Sequence, residues 1–381
     1  MNLTKLYIEF FESEKTGGIV LIICTAVSLL LANSVWGESY NYIWHIPLFN
    51  KPLEYWINDG LLTIFFLLIG LELEREIYNG ELSSFKTASL PLFAALGGMI
   101  VPAGIYLYFN KGLQTQSGFG IPMATDIAFA IGILSLLGNK VPTALKIFLT
   151  ALAVMDDLGA IVIIAFFYTS HLIVTNLLIS LGIFCLLLVL NRLKVKPVFP
   201  YLFGGIFMWY FMLQSGVHAT ITGVLLAFAI PFQNGEEDST SYKLQHFLHK
   251  PVAFFILPLF ALANTAVMFD AQWLSNLSLP NNVGVLVGLV LGKPLGILLF
   301  TLLALFIGVS TLPSELNWKH ILGAGLLGGI GFTMSIFITL LAFDNPQLIT
   351  STKIAILLAS VLSGLIGFLW LKFVLKKSIN N

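Results

Sequence analysis

Apolar runs long enough to cross a lipid bilayer recur along the whole chain, and no polar stretch between them is long enough for a separate soluble domain. A membrane-spanning helix needs about 20 mostly apolar residues. The residues are 57% hydrophobic and only 10% charged, whereas soluble domains are about 25% charged. The sequence therefore predicts an all-α integral membrane protein that occupies one membrane domain over residues 1–381.

Twelve transmembrane helices are predicted, and the even number places both chain ends on the same side of the membrane. Of the 19 lysines and arginines, fifteen fall on that side, Lys293 lies inside a helix, and only Lys51, Lys111 and Lys353 fall on the other side. Cytoplasmic loops carry an excess of Lys and Arg, so we expect both termini in the cytoplasm. The predicted helices are 17–34, 58–80, 88–109, 120–138, 143–169, 172–190, 198–213, 217–231, 243–266, 282–307, 320–342 and 350–375.

Two further features describe the chain outside these helices. The net charge is zero at pH 7, so the charge balance does not favour a nucleic-acid partner. The first outer loop is rich in aromatic residues and carries the turn residues Asn50, Lys51 and Pro52. These residues fit a small β-hairpin on the outer (periplasmic) face and an ordinary interfacial aromatic belt equally well.

Four ionisable residues are predicted to lie deep in the membrane: Asp126, Asp156, Asp157 and Lys293. On insertion scales, the free energy of placing each such residue at the bilayer centre is unfavourable by about 2.5–3.5 kcal/mol. Neighbouring residues of a helix point about 100° apart, so one of the adjacent acids can face a cavity while the other faces a neighbouring helix. Lys293 is the one base at this depth and is the natural partner of a buried carboxylate. A static buried salt bridge is the structural alternative to an ion-binding site.

Two glycine-rich segments, 118–126 and 323–331, interrupt the fourth and eleventh predicted helices. These helices are the middle members of two triplets, helices 3–5 and 10–12, which start on opposite sides of the membrane. Matched interruptions in inverted repeats are typical of a transporter's substrate site, although either segment alone fits close helix packing. Where broken helices cross, Asp126 would offset the positive N-termini and Lys293 the negative C-termini. Thr125 could add a hydroxyl ligand or bond the backbone.

Five segments together resemble the NhaA family of sodium/proton antiporters: ATDIAFAIG (124–132), MDDLGAIVIIAFFYT (155–169), SGVHAT (215–220), GKPLGI (292–297) and GIGFTMSIFI (329–338). The family is itself a known case of inverted repeats. The resemblance implies a multi-pass transporter of the bacterial inner membrane, not an enzyme, that exchanges Na⁺ or Li⁺ for H⁺ in sodium homeostasis. Exchange would be electrogenic and pH-regulated, without a cofactor, in a homodimer surrounded by lipid.

The resemblance also implies roles for individual residues. Asp157 matches the acid that binds the transported Na⁺, and Asp156 matches its partner in proton carriage, linked to Lys293. Thr125 and Asp126 match residues at the helix crossing. The remaining matches are Asp59, an accessory acid, and the residues associated with pH sensing: Glu72, Glu76, Lys243, His246 and His218.

Several of these matches have a plainer interpretation. From the residues alone, Glu72 and Glu76 fit a solvated helix end, His218 fits a packed histidine, and His246 fits a loop. Glu74 and Gln245 depart from the family pattern, which has lysine and glutamate there, so the pH profile of the family is not carried over.

The predicted helices divide into two parts of the membrane domain. We expect a core bundle at about 88–169 and 282–375, and an interface part, including the dimer contact near the hairpin, at about 1–80 and 172–266.

A sodium-coupled small-solute symporter could use similar broken helices. An intramembrane aspartyl protease is less favoured, because its two acids must approach from separate helices.

Overall fold

The computed structural model describes residues 3–169 and 172–378, and these are mainly helical. In the first half of the described chain the helices are α1 (Leu3–Ala32), α2 (Gly37–His45), α3 (Leu53–Tyr55), α4 (Leu62–Asn79), α5 (Phe85–Asn110), α6 (Ile127–Ser135), α7 (Thr143–Phe167), α8 (Val174–Arg192) and α9 (Phe199–Ser215). In the second half they are α10 (Ile221–Ala229), α11 (Thr240–Pro251), α12 (Leu257–Asn264), α13 (Trp273–Asn276), α14 (Pro280–Val287), α15 (Lys293–Phe306), α16 (Trp318–Gly328), α17 (Phe332–Ala342) and α18 (Pro346–Ser378).

Three pairs of helices are continuous through short π-helical segments. The segment Trp56–Leu61 joins α3 to α4, Val252–Ile256 joins α11 to α12, and Gly288–Gly292 joins α14 to α15. Such widened turns are rare in proteins, and those that occur are often located at functional sites. Two candidate site residues lie at them, since Asp59 is within the first and Lys293 directly follows the third.

A two-stranded antiparallel ribbon is formed by β1 (Pro47–Leu48) and β2 (Lys51–Pro52), with Leu48 opposite Lys51. Phe49 and Asn50 connect the strands and both have positive φ, 49° and 64°. Positive φ at both central residues is the geometry of the two-residue hairpin turn whose twist matches that of the strands. The turn therefore begins one residue before the predicted turn residues. Its side of the membrane stays a prediction.

By length and apolar composition, nine helices of the described residues could cross a membrane, or ten if the bent pair α16 and α17 forms one span. The predicted spans 198–213 and 217–231 correspond to α9 and α10, which have 17 and 9 residues. An untilted span needs about 20. The chain is thus a multi-pass membrane protein by its helices, while the count of twelve and the inverted repeats stay predictions.

The two interrupted segments have similar forms. Before α6 the chain runs as a 3₁₀ helix, Gln114–Met123, and then becomes extended at Ala124 and Asp126. Between α16 and α17 the helix axis bends by 47° over the break at 329–331. In both places a helix ends, a few residues are unwound, and a second short helix begins.

The chain divides into two compact units. The first contains residues 1–40, 85–160 and 264–381, and the second contains residues 41–84 and 161–263. All the interrupted segments lie in the first unit, together with Asp156, Asp157 and Lys293. Which residues form a transport core and which a dimer interface stays a prediction.

Within the first unit, α5 and α15 approach each other closely at a pair of glycines. A Cβ atom built on Gly97 would overlap the backbone carbonyl of Gly296, and one built on Gly296 would overlap that of Gly97. Only glycine allows the two backbones to come this near. This contact holds the beginning of α15, and with it Lys293, against α5.

Candidate ion-binding site

Asp156 pairs with a buried lysine in the first unit. It lies on α7, is 1% exposed, and its Oδ2 is 2.7 Å from Nζ of Lys293, which is fully buried. Thr125 also lies 2.7 Å from the same Oδ2 through its Oγ1. The Oδ1 atom has no hydrogen-bond partner among the described residues. The carboxylate is therefore held at one oxygen and buried at the other.

Asp157 follows on the same helix and is also 1% exposed. Its carboxyl group is close enough to interact electrostatically with Lys293. Because consecutive side chains of a helix point about 100° apart, Asp157 and Asp156 present their carboxyl groups in different directions. The two acids and the lysine thus form one buried charged cluster with two distinct carboxyl environments.

Asp126 caps the N-termini of two short helices at once. Its Oδ1 accepts a hydrogen bond from N of Phe129 at 3.0 Å, in the first turn of α6. Its Oδ2 accepts from N of Thr333 at 3.0 Å and from the hydroxyl of Thr333, in the first turn of α17. A carboxylate is favoured there by the free N–H groups and by the helix dipole. The carboxylate thus lies at both helix N-termini, and the compensating role expected of Asp126 stays a prediction.

The unwound segments also contact each other directly. Asp126 N donates to the carbonyl of Ile330 at 2.7 Å. Thr125 Oγ1 lies 2.9 Å from the carbonyl of Gly328, the last residue of α16. Lys293 Nζ donates to the carbonyl of Met123, the last residue of the 3₁₀ segment. Hydroxyl and ammonium donors therefore occupy the C-terminal ends, and the Asp126 carboxylate occupies the N-terminal ends.

The contact between residues 121–126 and 328–333 is called the crossing below. Two serines that contact it were not predicted from the sequence. Ser335 Oγ donates to the carbonyl of Ile121 at 2.7 Å, and Ser360 Oγ accepts from N of Phe332 at 3.1 Å. Each satisfies a backbone group that the broken helices leave free. Ser335 follows the glycine-rich run 323–331, and Ser360 lies in an apolar helix. Neither position indicates which group the serine contacts.

The other predicted residues lie in the second unit. Asp59 accepts through its backbone carbonyl from Trp209 Nε1 at 3.2 Å, and His218 Nε2 lies 2.7 Å from the carbonyl of Tyr168. Neither is in the described cluster of the first unit. Each therefore keeps only the role that the family resemblance implies.

The residues associated with pH sensing lie on α4 and α11. Glu72 Oε1 is 3.3 Å from Nε2 of His249, and Ser241 Oγ donates to Glu74, which is buried. Tyr242 stacks on His246, whose helical position shows that the prediction of a loop there was wrong. The helix predicted over 243–266 already included residue 246, and the structure starts it earlier, at Thr240, where Ser239 caps it by accepting from Tyr242 N at 3.1 Å.

Two predicted residues of this group are peripheral. Lys243 pairs with Asp238 at 3.1 Å on the exposed surface. Glu76 is half-buried on α4. An exposed pair of this kind contributes little to stability.

A polyvalent metal centre finds no support in the described residues, where no group of three or more His, Cys, Asp or Glu side chains comes together. A monovalent hard cation needs oxygen ligands instead. Asp157, the Thr125 hydroxyl and the carbonyls of the unwound segments are oxygen donors. The first unit therefore contains oxygen donors of the kind that a small monovalent cation requires, one of them acidic.

Known proteins resemble the chain over its full length. A family model described as Na⁺/H⁺ antiporter 1 matches residues 8–371. The Na⁺/H⁺ antiporter NhaA of Flavobacterium psychrophilum is 65% identical, with 100% of this chain and 99% of that protein aligned. The protein of the same name from Cytophaga hutchinsonii is 61% identical, with 100% and 98% aligned.

A solved structure shares the fold. The sodium proton antiporter MjNhaP1 of Methanocaldococcus jannaschii, determined at pH 8, superposes with a TM-score of 0.53 at 17% identity, covering 97% of this chain and 100% of that one. This likeness concerns the fold alone. The family match and the near-complete relatives lead to one conclusion: the chain belongs to the Na⁺/H⁺ antiporter 1 family, together with the NhaA antiporters.

Proposed function

We propose that the protein exchanges Na⁺ for H⁺ across the bacterial inner membrane, with Asp157 as the carboxylate that binds Na⁺. The observation that carries this proposal is the burial of two adjacent acids, Asp156 and Asp157, beside unwound backbone. A buried carboxylate is costly unless it holds a proton, a cation or a fixed partner. Asp156 is in direct contact with Lys293, and the family resemblance gives cation binding to Asp157, so we infer that Na⁺ and H⁺ compete at Asp157.

Competition at one carboxylate is sufficient for exchange. Asp157 binds Na⁺ when ionised, with help from Thr125 and the carbonyls of the segment before α6, and it carries a proton back when Na⁺ has left. Alternation between the two sides follows the rocking of one part of the protein against another that is general for such transporters. Each cycle then moves Na⁺ in one direction and H⁺ in the other.

Asp156 and Lys293 supply the second proton. A positive charge bound at Asp157 lowers the affinity of its neighbours for protons by Coulomb repulsion. The neighbouring Asp156–Lys293 pair, whose Oδ2 and Nζ atoms are 2.7 Å apart, is the group that releases one. Exchange of more than one proton for each Na⁺ makes transport electrogenic.

Thr125 links the protonation of Asp156 to the crossing. Its hydroxyl has one hydrogen but two acceptors within reach, Asp156 Oδ2 at 2.7 Å and the carbonyl of Gly328 at 2.9 Å. When Asp156 Oδ2 carries a proton, it donates to Thr125, which then donates to Gly328. When Asp156 is ionised, Thr125 donates to the carboxylate instead. The protonation of Asp156 therefore changes a bond to the end of α16.

The remaining features of the proposal follow the family resemblance. Li⁺ is a second transported cation, the protein is a homodimer joined partly through the β1–β2 hairpin, and both termini face the cytoplasm. Inverted repeats place the two interrupted segments at mid-membrane. The cluster of Glu72, Glu76, Lys243 and His246, with His218, adjusts activity to pH.

Exchange in everted membrane vesicles tests the proposal. Addition of Na⁺ to energised vesicles containing the protein should collapse the pH gradient reported by a fluorescent dye, and Asp157→Asn should abolish this response. Asp344→Asn is the matched control, because Asp344 is exposed and its substitution should leave exchange unchanged. Sodium-dependent gradient collapse by Asp157→Asn at the wild-type rate would overturn the assignment.

The same vesicles measure the cation preference and the pH dependence of exchange, and they distinguish an antiporter from a symporter. Additions of Li⁺ and K⁺, each at several pH values, measure the cation preference and the pH dependence directly. Sodium-dependent uptake of an organic solute without proton movement would instead support the symporter.

A further inference from the structure

A second buried lysine lies on α18, away from the Asp156–Lys293 pair. Lys353 is 7% exposed, and its Nζ donates to Oδ1 of Asn264 at 3.3 Å. The residue belongs to a helix that is long and apolar enough to span the membrane. Lys353 lies seven residues after Pro346, where α18 begins, so the structure buries a lysine that the sequence assigned to the outer side. A buried ionisable side chain in a membrane-spanning helix is costly and is a candidate functional residue.

The position of Lys353 along α18 relates it to the helix crossing. Ser360 follows seven residues later, which is nearly two full turns, so the two side chains share a face of the helix. Ser360 accepts from N of Phe332, at the break that precedes α17. At 1.5 Å per residue, Lys353 lies about 10 Å along the axis from this contact, towards the predicted outer side.

Hydrogen bonds fix the beginning of α18 around Lys353. Thr352, the preceding residue, accepts from Nδ2 of Asn281 at 2.9 Å, and Asn281 also donates to Oδ1 of Asn282 at 2.7 Å. Asn282 in turn donates to the carbonyl of Asn276 at 2.8 Å. All these residues are in the first unit. Lys353 therefore belongs to a segment held in place by hydrogen bonds, and its separation from the crossing is fixed.

We propose that Lys353 sets the cation affinity of the ion site, as a fixed positive charge that weakens the binding of a monovalent cation at Asp157. This inference rests on the function proposed above. A charge at about 10–20 Å, at an effective dielectric constant of about 20, changes the affinity for a monovalent ion roughly four- to fifteenfold. Weaker binding favours release of the cation, which a transporter requires each time it has carried an ion across the membrane.

The test is the apparent KM for Na⁺ in everted vesicles. Lys353→Gln should lower the KM about four- to fifteenfold, because the repulsive charge is gone, whereas Lys353→Arg should retain the wild-type value. Lys372→Gln is the matched control: Lys372 lies on the same helix but is exposed, and its KM should not change. An unchanged or raised KM in Lys353→Gln would overturn the proposal.

Comparison of Na⁺ with Li⁺ separates charge from structure. The Coulomb energy depends on the charge of the ion, not on its radius, so Lys353→Gln should lower the KM for both ions by the same factor. A loosened site would change the two ions unequally, because they require different ligand distances. Unequal factors would therefore contradict the proposal.

A second variant keeps the lysine and cancels its charge. Asn264→Asp places a carboxylate against Lys353 Nζ, so it should lower both KM values as Lys353→Gln does, and it serves if Lys353→Gln does not fold. A KM unaffected by Asn264→Asp would count against the proposal. Either failure leaves the role of Asp157 intact, since that role depends on the loss of exchange in Asp157→Asn.

Discussion

At the scale of single residues, the buried pair of Asp156 and Lys293 dominates the energetics of the site. Both side chains are removed from water, and the two atoms in contact are 2.7 Å apart. The attraction between buried charges is offset by the loss of their hydration, so such a pair adds little net stability. Removal of one partner is different, because it leaves a buried charge uncompensated.

This asymmetry gives a prediction for stability. Lys293→Met should destabilise the protein by about 3–5 kcal/mol, and the double substitution Asp156→Asn with Lys293→Met should recover most of that loss. Thermal unfolding of the purified variants measures both effects. Lys319→Met, at an exposed position, is the control and should unfold like the wild type. Additive effects of the two single substitutions would show that the pair is not coupled.

Residue-level prediction from the sequence succeeded where charge was the signal. Lys293 was the one base predicted at membrane depth, so scarcity predicted a pair with a buried carboxylate. The family resemblance pointed to Asp156, and the structure places the two side chains in contact. Ser335 and Ser360 could not be found in this way. A serine is common in apolar helices, and its partner is a backbone group whose position depends on how distant segments pack.

At the scale of helices, the two interruptions explain why so many polar groups are buried. Unwound backbone in a membrane is tolerated only where its N–H and C=O groups find partners. Here Asp126, Thr125, Lys293 and Ser335 supply those partners. The crossing is therefore a set of satisfied helix ends, close to the carboxylates that are proposed to bind the ion.

The close approach of α5 and α15 gives a prediction at this scale. Gly97→Ala places a methyl group on the backbone of Gly296, so it should cost about 1–3 kcal/mol or more and displace α15, which carries Lys293. Gly104→Ala is the control on the same helix, because a Cβ there meets no atom within 4 Å. Thermal unfolding and exchange should both fall in Gly97→Ala and not in Gly104→Ala. Equal behaviour of the two variants would rule out a tight contact.

Helix boundaries show where sequence patterns stop being informative. Hydropathy indicates that a run is buried, but π-helical segments such as Gly288–Gly292 and the 3₁₀ segment Gln114–Met123 are set by packing between helices. The run predicted as a span at 217–231 contains a helix of only 9 residues, because apolar composition does not require helical backbone throughout.

At the scale of the whole molecule, a chain that matches its family over residues 8–371 contains one buried charged cluster in its first unit. The chain aligns with NhaA antiporters from end to end, and Asp126, Asp156 and Lys293 lie where the two interrupted segments meet. The overall character of the protein was readable from the sequence, since spans and buried acids are local signals. The pairing of distant helix ends was not, since it depends on the complete arrangement of the helices.

The most direct test of the central claim is Na⁺ binding to the purified protein with simultaneous measurement of released protons. In weakly buffered detergent solution, addition of Na⁺ to the wild type should release protons as the cation replaces them, and the Asp157→Asn variant should neither bind Na⁺ nor release protons. Asp344→Asn should behave as the wild type. If Asp157→Asn bound Na⁺ with wild-type affinity and released the same number of protons, competition at Asp157 would be contradicted.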